Sequence, residues 1–410
     1  MKIALLGMGT VGTGVYEIIN EEKGNYFANA QEKVNIKKVL VRDKTKKRKL
    51  DVSEDLLTDS FDEILEDQEI EAVIFAMGGM EPEYSYMKDA MRNKKHVITA
   101  NKAVVSEYLD TLLKLAEENN VMFLFEASVG GGIPIITSLK ETLKINRIDE
   151  IKGILNGTSN FILSKMSSEG RDFDDVLKEA QELGFAEADP SADVDGFDVS
   201  RKLAILSSLA FGCHIKDEDI YKRGIREVSK SDMEMFDNLG YVLKYLAHSK
   251  MDDGKYCATV EPVLLSSKNI MSNVNEEFNI VSIHGNIIGE LQFYGKGAGK
   301  NATANAVVGD LLYIINNSER RDDIILDKTV ENKKLDIFQG KYYLRVDIKN
   351  HKEFKEIIDM IDETSKVKKM MVEKSQIFVV TEELSAYTVN DLAQRIADMG
   401  NELFYARIVQ

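Results

Sequence analysis

Short runs of apolar residues recur along the first third of the chain, and longer segments with apolar residues at helical spacing separate them. The runs lie at 2–6, 36–41, 72–76, 96–99 and 121–125. Runs of this length bounded by turn signals are typical of strands buried on both faces. Strand and helix in alternation predict an α/β domain with a doubly wound parallel sheet over residues 1–135.

The hydrophobic pattern changes after Pro134. Strand-like runs near 148–155, 256–265 and 279–293 alternate with helical stretches such as 199–211 and 233–247, which predicts an α+β domain over residues 136–318. A highly charged stretch at 317–340 marks the last boundary. Residues 340–410 then predict a small βαββαβ unit, with strands near 342–348, 366–373, 376–381 and 402–409 and helices near 351–363 and 388–399.

The charge balance limits the partners. The 410 residues include 53 basic and 69 acidic ones, a net charge of −16, which argues against a broad nucleic-acid or anionic-membrane surface and favours a small-molecule partner. No stretch approaches the roughly 20 apolar residues of a membrane helix. The two cysteines, Cys213 and Cys257, form no CxxC pattern. The sequence therefore predicts a soluble cytoplasmic protein.

A glycine pattern follows the first predicted strand. Gly7, Gly9 and Gly12 form G-x-G-x-x-G before a helix that starts near Thr10 and Val11. Such a turn lets the backbone approach a pyrophosphate, whose charge a helix N-terminus favours, so these residues predict a dinucleotide site in a Rossmann-type sheet. On spacing alone, a glycine-rich turn without a ligand remains the alternative.

Arg42 ends the second predicted strand, where an NAD-binding domain usually offers an acid to the ribose. An arginine there favours a 2′-phosphate, so the predicted cofactor is NADP, with NAD as the alternative. The basic run Lys44, Lys46, Lys47, Arg48 and Lys49 follows, and a solvated basic loop is the other interpretation of it.

Two further loops follow predicted parallel strands, at the sheet edge where ligands bind. TANKAVVS (99–106) points Lys102 at that edge, although a surface lysine in a salt bridge would fit the position equally well. EASVGGGIPII (126–136) places glycine-rich backbone beside Glu126, which suits a hard cation. A tight turn without metal fits its spacing equally well.

Five carboxylates crowd the segment AEADPSADVDGFDVSRKL (186–203). An EF-hand loop fails there, because Ser191 would stand at its first position and Lys202 at its twelfth. The following helix is apolar on nearly every side, and Asp198 and Lys202 lie four residues apart on it. A structural ion pair is one interpretation; the other is an acid–base lysine, since burial lowers a lysine pKa from about 10.4.

These motifs closely resemble homoserine dehydrogenases. The matching stretches are GMGTVGTGV from residue 7, VRD at 41–43, TANKA at 99–103, EASVGGGIPI at 126–135, GILNGTSNFIL at 153–163, GFAEADPSADVDGFDVSRKLAIL at 184–206 and GKGAGKNATANAVVGDL at 295–311. The resemblance implies reversible NAD(P)-dependent interconversion of L-aspartate 4-semialdehyde and L-homoserine, in threonine, methionine and isoleucine biosynthesis. A homodimer or homotetramer is the expected assembly.

The resemblance also implies roles for individual residues. Lys202 matches the proton-transferring lysine, Lys102 the second active-site lysine, and Asp198 an active-site acid. The residues expected to hold substrate are Glu187, Asp193, Gly157 and Thr158. Gly184 and Gly297 match positions near the cofactor. A monovalent cation, Na⁺ or K⁺, is expected at Glu126 and at the carbonyls of Val129, Gly131 and Ile133.

The tail resembles an ACT domain, an amino-acid-sensing module. It departs from the usual pattern after its first strand, where KNHKEFKE replaces the Pro-Gly turn that helps to form the effector site. Two alternatives to a homoserine dehydrogenase stand. One is a non-catalytic sensor of dinucleotide and amino acid, and the other is aspartate-semialdehyde dehydrogenase, which requires a cysteine nucleophile.

Overall fold

The computed structural model describes residues 1–21, 34–46, 48, 50, 52–317, 324, 326–333, 338–365, 367–373 and 375–409. Lys47, Lys49 and much of the charged stretch at 317–340 lie outside them. The strands are β1 (Lys2–Leu6), β2 (Asn35–Leu40), β3 (Leu57–Thr58), β4 (Ala72–Phe75), β5 (His96–Thr99), β6 (Phe123–Leu124), β7 (Ile148–Ile154), β8 (Tyr221–Lys222), β9 (Tyr241–Asp252), β10 (Lys255–Ser266), β11 (Phe278–Gly285), β12 (Gly289–Lys296), β13 (Glu331–Asn332), β14 (Gln339–Asp347), β15 (Val367–Glu373), β16 (Gln376–Thr381), β17 (Leu384–Ser385) and β18 (Glu402–Val409).

The helices are α1 (Thr10–Glu21), α2 (Asp62–Glu66), α3 (Glu83–Arg92), α4 (Lys102–Asn119), α5 (Ile135–Leu143), α6 (Gly157–Glu169), α7 (Phe173–Glu182), α8 (Ser191–Val194), α9 (Phe197–Phe211), α10 (Lys230–Leu239), α11 (Lys300–Asn316), α12 (Phe354–Thr364) and α13 (Ala386–Asp398). In the described part of the chain, no helix has both the length and the apolar character to cross a membrane.

Contacts divide the chain into two compact units. One comprises Met1–Ile148, Ala204–Lys216 and Gly285–Lys328, and the other Asp149–Leu203, Asp217–His284 and Thr329–Gln410. Each unit is thus assembled from segments that are distant in sequence. The three-domain division at residues 135, 318 and 340 stays a prediction.

The first unit contains the parallel sheet that the apolar runs predicted. Its strand order is β3-β2-β1-β4-β5-β6, and every pairing is parallel. This is the order of a Rossmann-type fold. Helices α1 and α11 contribute to its core, and a Cβ on Gly14 would lie 2.9 Å from the Cβ of Ala304, so the two helices cross closely.

The second unit is built on a sheet in which β11, β7, β9, β10, β18, β14, β16 and β15 follow one another. The long hairpin β9–β10 turns at Asp253 and Gly254, whose φ angles of 47° and 75° fit a two-residue type I′ turn. The helix predicted over 233–247 is wrong in its second half. Gly240, with φ of 76°, ends α10, and β9 begins at the next residue.

The C-terminal residues form the predicted βαββαβ arrangement as β14, α12, β15, β16, α13 and β18. The four strands stand in the order β18-β14-β16-β15, as in ferredoxin-like folds. Strand β18 also pairs in parallel with β10, from Val263 opposite Arg407 to Leu265 opposite Val409. The C-terminal strands therefore continue the sheet of the second unit.

Candidate active site

The turn after β1 has the geometry of a phosphate cradle. Gly7 has φ of 96°, and a Cβ on Gly12 would lie 2.0 Å from the carbonyl oxygen of Gly7. A Cβ on Gly9 would meet nothing within 4 Å. Two glycines therefore permit the tight turn, whereas Gly9 faces open space at the N-terminus of α1. This division of roles fits a bound pyrophosphate.

Arg42 is exposed just beyond the end of β2. Two of its basic neighbours are engaged locally: Lys44 forms an ion pair with Asp59 at 2.9 Å, and Arg48 donates to the carbonyl of Lys46 at 2.9 Å. The described part of the loop thus presents Arg42 at the carboxyl edge of the sheet, where a ribose lies in this fold.

Lys102 is the first residue of α4. The helix is capped by Asn101, whose Oδ1 accepts from the backbone N–H groups of Ala103 and Val104 at 3.1 and 3.2 Å. Asn101 Nδ2 donates to the carbonyl of Gly79 at 2.7 Å. A cap with several partners fixes the start of the helix and so the origin of the Lys102 side chain.

The glycine-rich loop after β6 is ordered by Glu126, which is 6% exposed. Its carboxylate accepts from Ile136 N at 2.7 Å, Thr137 N at 2.8 Å and Thr137 Oγ1 at 2.6 Å, all in the first turn of α5. The visible role of Glu126 is thus to cap α5 from a distance, a role that sequence reasoning missed. The residues predicted to hold the cation share this loop, and among them the Ile133 carbonyl accepts from Ile135 N at 2.8 Å.

Gly131 and Gly297 were predicted for different ligands, but they lie against each other. A Cβ on Gly131 would lie 2.5 Å from the Gly297 carbonyl oxygen, and Gly132 N donates to the Lys296 carbonyl at 3.1 Å. The two glycine-rich segments therefore support one another within the first unit.

In the second unit, Lys202 and Asp198 form a buried ion pair. They are 8% and 5% exposed, and Lys202 Nζ lies 2.7 Å from Asp198 Oδ2 and 2.7 Å from the carbonyl oxygen of Leu155. A buried pair of charges stabilises a fold only when its hydrogen bonds are satisfied, and here several are. The pair is therefore buried and not a solvent-exposed ion pair, and both the structural interpretation and the acid–base interpretation of Lys202 remain predictions.

Asn156, which was not among the predicted site residues, links this pair to the acidic segment. Its Nδ2 donates to Asp193 Oδ1 at 2.7 Å and to Asp198 Oδ2 at 2.8 Å, while its Oδ1 caps α6 by accepting from Ser159 N at 2.7 Å. The capping role of Asn156 could have been predicted from the sequence, because an asparagine directly before a helical pattern is a typical N-cap. Asp193, Asp198 and Lys202 thus belong to one network.

The remaining acids of the segment separate by role. Asp189 accepts from Ser191 N and Oγ at the start of α8, and Asp195 pairs with Arg226 at 2.6 and 2.9 Å, so both support the loop. Glu187 is exposed, and its backbone carbonyl accepts from Gln181 Nε2 at 3.0 Å. Of the five carboxylates, Asp189 and Asp195 therefore have structural roles.

Three further predicted residues surround the start of α6. Thr158 Oγ1 donates to the carbonyl of Phe185 at 2.7 Å, next to Gly184, whose φ is 79° and whose Cβ position is open. A Cβ on Gly157 would lie 2.9 Å from the Glu277 carbonyl oxygen, so only glycine fits there. The loop bearing Gly184 is thereby tied to the helix that starts at Gly157.

The two cysteines are buried, Cys213 at 5% and Cys257 at 0% exposed. A thiol nucleophile must reach its substrate, so neither cysteine suits aspartate-semialdehyde dehydrogenase chemistry.

Known proteins match this chain over its whole length. The family model for the homoserine dehydrogenase NAD-binding domain matches residues 7–126, and the homoserine dehydrogenase model matches 134–312. The homoserine dehydrogenase of Bacillus subtilis is 38% identical over 413 residues, covering 97% of this chain and 95% of the relative. A crystal structure of a homoserine dehydrogenase from Thiobacillus denitrificans superimposes with a TM-score of 0.88 at 33% identity, covering 100% of this chain and 98% of that one.

A hyperthermophilic archaeal homoserine dehydrogenase, solved in complex with NADPH, is 29% identical with a TM-score of 0.65 and covers 78% of this chain and 98% of its own. None of these matches favours a non-catalytic sensor. The chain belongs to the homoserine dehydrogenase family, NAD(P)-dependent oxidoreductases that interconvert L-homoserine and L-aspartate 4-semialdehyde.

Proposed function

We propose that Lys202 transfers the proton in this reaction and that Asp198 orients it. The carrying observation is the buried ion pair, held at 2.7 Å and fixed further by Leu155 and Asn156. A buried charged pair next to further acids is the kind of site at which proton transfer is arranged. A nicotinamide cofactor held at Gly7, Gly9 and Gly12 would supply the hydride for reduction of the aldehyde or take it up on oxidation of the alcohol. Lys202 protonates the oxygen formed on reduction, directly or through a water, and removes that proton on oxidation.

Substrate binding is assigned to Glu187, Asp193, Gly157 and Thr158. The carboxylates suit the substrate ammonium, and the half-buried Asp193 already shares Asn156 with Asp198. Lys102 is the second active-site lysine, and its charge suits the substrate carboxylate or the developing alkoxide. The two lysines therefore act on different steps: loss of Lys102 should affect binding, and loss of Lys202 should affect proton transfer.

Cofactor binding is assigned to Gly7, Gly9, Thr10, Val11 and Gly12, and also to Lys102, Gly184 and Gly297. The open position at Gly9 and the turn closed by Gly12 support a pyrophosphate there. Arg42 is exposed where a 2′-phosphate would lie, which supports NADP over NAD. The archaeal relative with NADPH is consistent with that preference.

A monovalent cation, Na⁺ or K⁺, is proposed at Glu126 with the carbonyls of Val129, Gly131 and Ile133. A carboxylate offers about four lone-pair sites, and three donors engage Glu126, which leaves capacity for a cation. The test is the dependence of kcat on Na⁺, K⁺ and choline in wild type and Glu126→Gln. Equal rates in all three salts would remove the cation from the proposal.

Residues 340–410 are proposed to be an ACT-like domain with a role in assembly, in a homodimer or homotetramer. Two observations support such a domain: the βαββαβ order of its elements, and the parallel pairing of β18 with β10, which makes its strands part of the sheet of the second unit. The divergent segment KNHKEFKE, which follows β14, argues against feedback by threonine. Light scattering tests the proposed assembly, and activity measured with and without L-threonine tests the absence of feedback.

The test of the proton-transfer role is Lys202→Met beside Lys144→Met, an exposed control. We expect Lys202→Met to lower kcat by about 10²-fold or more while cofactor binding, followed by fluorescence, is retained. A wild-type kcat in Lys202→Met would remove the assignment.

A further inference from the structure

Glu83, in the first turn of α3, is buried at a position that the proposed mechanism does not use. It is 0% exposed, and its Oε1 accepts from Thr99 Oγ1 at 3.2 Å. Its Oε2 is buried without a hydrogen-bond partner among the described residues. Buried polar atoms are nearly always paired, so this carboxyl group requires an explanation.

Retaining Glu83 disfavours folding at neutral and higher pH. Burial raises its pKa from 4.5 to about 7, against partial opposition from the side chains of Asn101 and Thr99. Because the folded state then holds the proton more tightly than the unfolded state, stability falls as the pH rises from about 4.5 through about 7. An apolar residue in its place would avoid this loss.

The rise is caused by burial and not by a neighbouring negative charge. The titratable groups on its own segment and on the elements packed against it, β5 and α4, are Glu81, Tyr84, Tyr86, Lys88, Asp89, Arg92, His96, Lys102, Glu107, Tyr108, Asp110, Lys114, Glu117 and Glu118.

The hydrogen bond that Glu83 accepts from Thr99 leads to the loop carrying Lys102. Thr99 Oγ1 donates to Glu83 and accepts from the backbone N–H of Asn101 at 3.0 Å. Because the hydroxyl proton is directed at Glu83, an oxygen lone pair remains for Asn101. Asn101 in turn caps α4, whose first residue is Lys102.

We infer that Glu83 is a positioning residue that sets the Thr99–Asn101 turn and thereby the placement of Lys102. A site that keeps an unfavourable buried acid is expected where function, not stability, selects the residue. The inference rests on the proposed role of Lys102.

The test compares Glu83→Met, which has no acceptor for Thr99, with Glu83→Gln, which keeps one. Both variants should lose the pH-dependent penalty, so their folding constants relative to wild type should rise by about 100-fold or more between pH 4.5 and pH 8. Glu83→Met should lower kcat/KM by about 10- to 100-fold, as expected for a misplaced reactive group, and Glu83→Gln should restore it. A residue with a merely structural role would lose stability and activity together.

Lys102→Met separates the two proposals. If Lys102→Met retains wild-type kcat and KM, the proposed role of Lys102 fails and this inference with it. If Lys102→Met is impaired but Glu83→Met has wild-type kinetics, the inference alone fails. We expect Glu83→Met to add no further loss in the Lys102→Met background. The inference would also be overturned if the folding constants of Glu83→Met and Glu83→Gln relative to wild type did not change with pH.

Discussion

Replacing Asp198 with asparagine would remove the carboxylate that pairs with the buried Lys202. The two residues are 5% and 8% exposed, and 2.7 Å separates their charged atoms. In Asp198→Asn the ammonium keeps the Leu155 carbonyl but loses its counter-charge, and removing one partner of a buried pair costs about 3–5 kcal/mol. The free energy of unfolding should fall by that amount.

The assay is urea denaturation of Asp198→Asn, Lys202→Met and the double variant, with the coupling free energy taken from the cycle. The double variant removes both charges of the pair, so its free energy of unfolding should fall by much less than the sum of the falls in the two single variants. The matched control is Glu141→Gln, whose partner Lys144 lies 2.5 Å away but whose pair is 62% and 59% exposed. That change should cost less than about 0.5 kcal/mol.

Two results would refute this reasoning. If the free energy of unfolding of Asp198→Asn fell by less than about 1 kcal/mol, the pair would contribute no more to stability than an exposed ion pair does. Strictly additive losses in the double variant would mean that the two charges do not stabilise one another.

Three further outcomes are expected. Gly12→Ala should unfold the nucleotide turn, because its Cβ would lie 2.0 Å from the Gly7 carbonyl oxygen, whereas Gly9→Ala should keep the thermal midpoint and weaken only cofactor binding. Arg42→Ala should raise KM for NADP and leave KM for NAD unchanged, with Arg48→Ala as the control; equal effects on both cofactors would contradict the 2′-phosphate assignment. Burial lowers the pKa of His248 to about 4, so the folded state binds fewer protons than the unfolded state and stability should fall by about 3 kcal/mol as the pH drops from 6.5 to 4. In His248→Gln, stability measured by urea denaturation should fall less between pH 6.5 and 4. An unchanged fall would mean that other groups cause the loss of stability in acid.

Much of the fold could be predicted because its strands are short apolar runs bounded by turn signals. The parallel sheet and the βαββαβ arrangement depend on such local patterns. The helix predicted through 233–247 was wrong because apolar residues continue past Gly240, and only the left-handed conformation of that glycine ends α10. The two-unit division could not be predicted, since α11 packs on the first sheet from about 300 residues away in sequence.

The candidate site was predictable where the chemistry is local. Asp198 and Lys202 are four residues apart on one helix, so their pairing follows from helical geometry. The link through Asn156 and the capping of α5 by Glu126 were missed, because both join residues whose approach depends on tertiary packing. Glu83 gave no signal either: a glutamate in the first turn of a helix is ordinarily an exposed residue.

The most direct test of the account is the initial rate of NADP reduction by wild-type enzyme and Lys202→Met with L-homoserine as the substrate, with aspartate 4-semialdehyde identified as the product. The account predicts turnover by wild type and a rate lower by about 10²-fold or more in Lys202→Met. Absence of homoserine-dependent reduction in wild type, or equal rates in the two proteins, would contradict it.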